Sequence, residues 1–164
     1  MFNILYSPWR FSYIEGEKEP GCIFCIEPEK DEERLVVWRS EFSFVIMNLY
    51  PYNNGHIMVV PNKHVASLDD LEEKELVDLF QTVKISEKII RKRYKCDGLN
   101  IGMNLGKAAG AGVEEHLHVH IVPRWFGDSN FFTTTANTRV IPEDFNHSYQ
   151  TLKTFYQEYE KENA

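Results

Sequence analysis

Long apolar runs are missing from this chain. None approaches the roughly 20 consecutive apolar residues that a membrane-crossing helix needs, so no membrane partner is expected. Positive charge is scarce as well: 18 Lys and Arg stand against 25 Asp and Glu, a net charge of −7. No basic stripe exists to neutralise a nucleic-acid backbone, which argues against nucleic acid as a partner but not against a small anion held by a local cradle. Cysteine is rare, with three in 164 residues. That is too few for a disulfide framework, and the Cys22-x-x-Cys25 spacing suits a reducing compartment and a metal better. Met1 to Arg10 shows no basic-then-apolar export pattern, and a cytoplasmic location is the expectation. Repeats and low-complexity segments are absent too. What remains is an ordinary globular composition, 43% hydrophobic, of a length that suits one domain, 1–164.

Against that plain background one stretch stands out, His116-Leu117-His118-Val119-His120-Ile121-Val122, which holds half of the six histidines. In an extended strand residues i, i+2 and i+4 share a face. The three imidazoles therefore line one side while Leu117, Val119 and Ile121 point into a core. Such a strand alone fits a metal site or a surface histidine ladder. Its surroundings add a glycine-rich loop, Asn104 to Gly112, whose small residues let backbone amides approach an anion. Histidines beside an anion cradle suggest phosphorus chemistry with one imidazole as nucleophile.

Taken in order, residues 1–20 form an aromatic, irregular arm (Tyr6, Trp9, Phe11, Tyr13). Cys22-x-x-Cys25 on a turn can be a zinc knuckle, a redox pair or two buried thiols. The charge run Glu27 to Arg34 reads as solvated linker. Strands are predicted over 35–38, 42–48 and 55–60, the last stopped by Pro61. A long helix opens at Asp69 and Asp70, buries Leu76, Leu79, Phe80, Val83, Ile90 and Tyr94, and ends at Asp97-Gly98. Strands over 99–104 and 115–122 flank the glycine loop. Residues 127–138 read as polar loop, and a C-terminal helix over 142–160 starts with Pro142 near its first turn. The sum is an α+β domain, a five-stranded antiparallel sheet with a long helix and a C-terminal helix.

His-Leu-His-Val-His-Ile-Val resembles the signature of the histidine triad (HIT) superfamily. Asn48 to Pro61, with Gly55-His56, is similar to that family's second block. The likeness runs over roughly residues 20–145, with 21–145 as the core of a HIT-like fold. It points to the branch of Fhit-like dinucleoside polyphosphate hydrolases and diadenosine tetraphosphate phosphorylases. The resemblance implies a homodimer and a nucleotide substrate cleaved at its α-phosphate through a nucleotidyl–histidine intermediate. His118 would be the nucleophile, its Nδ1–H held by the carbonyl of His116. His120 would contact the phosphate and help protonate the leaving oxygen or position the acceptor. Asn104 matches an amide residue that bridges phosphate oxygens, Asn48 one near the ribose, and His56 a neighbouring histidine. Gly110, Ala111 and Gly112 would supply amides to the phosphate.

Pro61-x-x-His64 is similar to the zinc-bearing uridylyltransferase branch. It implies Cys22, Cys25, His64 and His116 as a closed structural zinc set. That branch, however, has glutamine where this chain has His120, which favours cleavage of dinucleotides over hexose transfer. The expected activity is hydrolysis of diadenosine tri- or tetraphosphate. The alternatives are phosphorolysis, a nucleoside phosphoramidase, or a nucleotide-binding signalling module.

Overall fold

The computed structural model describes residues 21–129, 131–136 and 140–163; the N-terminal arm expected over 1–20 lies outside them. Five strands form one antiparallel sheet: β1 (Val36–Arg39), β2 (Ser43–Met47), β3 (Ile57–Pro61), β4 (Gly98–Gly102) and β5 (Val119–Arg124). Their order is β1-β2-β3-β5-β4. Three helices complete the described chain: α1 (Glu73–Tyr94), the short α2 (Phe131–Ala136) and α3 (Phe145–Asn163). The expected α+β architecture is present.

The sheet is buried on both faces at its centre, where every residue of β2 and β3 is buried. On one face Val45, Val59, Val119 and Ile121 pack with Leu79, Val83 and Ile90 of α1 and with Leu152 and Tyr156 of α3. On the other, Phe24 covers Val36, Phe44, Ile46, Met58 and Val60. This second layer lies on the histidine side of β5.

Several boundaries differ from expectation, each for a local reason. Asp69 and Asp70 do not open the long helix. They sit in a single 3₁₀ turn whose cap is Ser67, and the chain straightens at Leu71 before a Glu72/Glu75 capping box starts α1. The helix ends at Lys95, which adopts the left-handed conformation, so Gly98 is free to begin β4. Phe80 is 47% exposed, whereas Thr82 and Ser86 are buried. Thr82 is satisfied by Ser43 Oγ at 3.1 Å and Ser86 by the Tyr156 hydroxyl at 2.7 Å. The polar 127–138 stretch contains helix α2 rather than loop alone. The C-terminal helix starts at Phe145, not 142, because the Asp144 carboxylate caps it by accepting the His147 amide at 2.9 Å. Pro61 ends β3 from inside the ladder, opposite Ser43.

Candidate active site and metal centre

The β5 ladder begins at Val119, opposite Val59. His116 to His118 lie before it: β3 runs on to Pro61, but no pair forms beyond Val59 and Val119, and the Leu117 amide bonds to the Val65 carbonyl at 2.6 Å instead. The alternation survives. Leu117, Val119 and Ile121 are in the helix-side core, and the three histidines face the Phe24 layer. Phe24 lies against two of them, 5.7 Å from the His116 ring and 5.1 Å from the His118 ring. Sequence reasoning passed over Phe24; its only signal was its place inside the Cys-x-x-Cys.

His118 is 5% exposed, and its Nδ1 lies 2.9 Å from the carbonyl oxygen of His116. That carbonyl can only accept, so the proton sits on Nδ1, and in the neutral tautomer Nε2 keeps its lone pair. His120 stands edge-on to it at 4.9 Å between ring centroids. The protons of His120 and His56 follow from the same bookkeeping of donors. The Tyr52 amide donates to His56 Nδ1 at 3.0 Å, while Asn48 Nδ2 approaches His56 Nε2 at 3.3 Å. The Asn48 amide is fixed in this orientation because its Oδ1 accepts the Tyr50 amide at 2.8 Å. A neutral imidazole accepts at one nitrogen only. The shorter backbone bond takes Nδ1, so Nε2–H remains and points to His120 Nδ1, 3.0 Å away. His120 must then carry its own proton on Nε2. Burial, followed by the charges of His120 and His118, pushes the His56 pKa down to about 3. Burial and then His118 push that of His120 down to about 4. Both are neutral at cellular pH, and His120 can offer a hydrogen bond to an anion without adding charge.

Donor atoms of Cys22, Cys25, His64 and His116 lie within 4.8 Å of one another. Cys22 Sγ is 3.3 Å from His116 Nδ1, and Cys25 Sγ is 3.3 Å from His64 Nδ1. His116 donates its Nε2–H to the Pro61 carbonyl at 2.9 Å, which leaves Nδ1 as a lone pair facing the sulfurs. Burial and the neighbouring Cys22 push the Cys25 thiol up; a cation between the sulfurs would reverse that. Two sulfurs and two nitrogens at these separations fit one tetrahedral metal ion. The group could bind a metal.

The glycine loop leaves β4 beside His120, whose strand partner is Gly102. It returns with Val113 packed on the Phe24 layer. Gly106 and Gly110 both take positive φ, 77° and 86°, around a 3₁₀ turn over Lys107–Ala109. This turn uses up two of the expected phosphate donors: the amides of Gly110 and Ala111 bond to the carbonyls of Lys107 and Gly106. The Gly112 amide has no partner among the described residues, and neither has that of Ala108. Asn104 is half-buried just past β4. Near this face Phe44 and Ile46 are buried and Leu49 is 55% exposed.

Comparison with known proteins places this geometry. The sequence pattern of the HIT domain matches residues 29–127. An AP-4-A phosphorylase of Mycobacterium tuberculosis is 38% identical over 160 residues, 92% of this chain and 82% of that protein. A bis(5'-nucleosyl)-tetraphosphatase (asymmetrical) of Schizosaccharomyces pombe is 40% identical over 89 residues, 54% of this chain and 48% of the other. Among solved structures, a Zn-bound histidine triad family protein from Mycobacterium smegmatis superposes with a TM-score of 0.65. It is 28% identical, covering 85% of this chain and 96% of that one.

Proposed function

We propose that this chain, which belongs to the HIT domain family, is an enzyme that cleaves dinucleoside polyphosphates at the α-phosphorus through a nucleotidyl–His118 intermediate. The observation that carries this is the His116 carbonyl on His118 Nδ1, which leaves Nε2 as the attacking lone pair. Attack on a phosphoric anhydride must overcome its negative oxygens, and an uncharged imidazole nucleophile adds no further repulsion. As the Nε2–phosphorus bond forms, the bond to the leaving polyphosphate oxygen breaks. The Nε2–H of His120 hydrogen-bonds to the charge developing there. His56 holds His120 in that tautomer, and Asn48 braces the loop that carries the Tyr52 amide. Asn104 and the loop amides complete the phosphate contacts. A second transfer, to an acceptor in place of the departed polyphosphate, regenerates His118.

Water as acceptor makes the protein a hydrolase. Inorganic phosphate makes it a phosphorylase, a reading supported by the likeness to the mycobacterial AP-4-A phosphorylase over most of the chain. Incubation with diadenosine tetraphosphate, with and without phosphate, decides between them. AMP plus ATP without phosphate means hydrolysis; ADP plus ATP, formed only with phosphate, means phosphorolysis. No cleavage under either condition refutes the assignment.

The metal is proposed to be zinc. Cys22, Cys25, His64 and His116 would hold it, and a closed set of four ligands supplies stability rather than chemistry. A homodimer is proposed as well. β4 is the last strand of the sheet, and it exposes Ile101 at its edge. The three unpaired thiols suit a cytoplasmic location.

A further inference from the structure

A polyphosphate bridge carries several negative charges, and the groups so far placed around it offer none of the opposite sign. His56 and His120 are neutral, the loop amides carry only partial charge, and the chain as a whole is acidic. Cations do occur on the elements around the triad face, but three of them are already closed by carboxylates. Arg39 is held by Asp31 at 2.6 Å, Lys63 by Glu75 at 3.3 Å and Arg124 by Asp128 at 2.6 Å. Lys107 differs. It is exposed, and no carboxylate or aromatic ring meets its ammonium among the described residues.

The loop that bears Lys107 is fixed at both ends next to the chemistry. Gly102, at its start, is the strand partner of His120. Val113, toward its end, packs on the layer of Phe24, which touches His116 and His118. Between these anchors the positive φ of Gly106 and Gly110 folds the turn that displays Lys107. A lysine stem is long enough to reach along an extended anion, and its ammonium acts as a point charge with rotatable donors.

We propose that Lys107 is a specificity-determining residue, one that engages the phosphates beyond the scissile bond and so selects substrates whose leaving group is a polyphosphate. This rests on the function proposed above. An exposed cation at the rim of a site acts on capture of the anion and on its salt dependence more than on the chemical step.

The test compares two substrates that would place the same nucleotidyl group on His118: diadenosine tetraphosphate and the p-nitrophenyl ester of AMP, whose leaving group has no phosphate. Lys107→Met should lower kcat/KM for the tetraphosphate by about tenfold, with kcat falling less, and leave the ester within about twofold of the parent. Lys107→Arg should recover most of the loss. The fall in kcat/KM with added salt should be steeper in the parent than in Lys107→Met. Equal losses on both substrates, or no loss on the tetraphosphate, would overturn the assignment. A parent protein that cleaves the ester but no dinucleotide would instead bring down the proposed substrate class, and Lys107 with it.

Discussion

Lowering the pH from about 8 to about 5 should cost this fold stability through His56 and His120, and the size of the loss follows from their burial. In the unfolded chain both titrate near the ordinary histidine value of 6.5; in the fold they are held at about 3 and about 4. The unfolded state therefore binds more protons below 6.5, and stability falls as the pH falls. It is fully present above the unfolded value and goes on being lost until the folded values are reached. At pH 5 an unfolded histidine is almost wholly protonated while both folded ones are still neutral. One and a half pH units at about 1.4 kcal/mol each give about 2 kcal/mol for His56; His120, partly open to solvent, adds in the same direction but is weakened by screening. Urea denaturation at the two pH values measures this directly. Other groups contribute to the total, so the informative quantity is the difference between the parent and His56→Gln. The variant should lose about 2 kcal/mol less on acidification than the parent. A parent and variant with the same pH dependence would refute the claim that His56 is buried as a neutral imidazole.

Other outcomes follow from the site and its supports. His118→Asn should abolish turnover while AMP binding, followed by calorimetry, survives; activity above about a tenth of the parent would remove His118 from the nucleophile role. Elemental analysis should find about one metal ion per chain, lost in Cys22→Ala together with thermal stability. A metal-free protein that melts at the same temperature would rule out the four-ligand site. Gly55 sits at φ +70°, and a Cβ there would run into the ring of Tyr94. Gly55→Ala should then destabilise by about 2–4 kcal/mol in urea, from the strained backbone and the collision together; a loss below about 0.5 kcal/mol would mean the ring moves aside freely.

The face of each histidine was legible because it depends on a short-range rule, alternation in an extended chain; the four metal-ligand candidates, far apart in sequence, came only from the resemblance to the uridylyltransferase branch. The place where the β5 ladder begins was not legible. It depends on Val65 offering its carbonyl to Leu117, a partner far away in sequence. Thr82 and Ser86 escaped for the same reason. Polar residues read as solvent-facing until Ser43 and Tyr156 arrive from other elements to satisfy them. Glycines in the loop after β4 signalled close backbone approach, but not that two of the amides would be turned inward by the loop's own 3₁₀ turn. The direction of the proton along Tyr52, His56 and His120 was equally hidden, since one backbone amide decides it.

Arg39 gives the cysteine knuckle an anchor that owes nothing to a metal. Its guanidinium grips Asp31, donates to the Ile26 carbonyl at 2.9 Å, and reaches Asn62 at 3.3 Å. One side chain thus ties the segment after Cys25 to the segment before His64. A metal held between these two segments would therefore have less chain to order. A protein stripped of any metal held there should accordingly remain folded, though less stable.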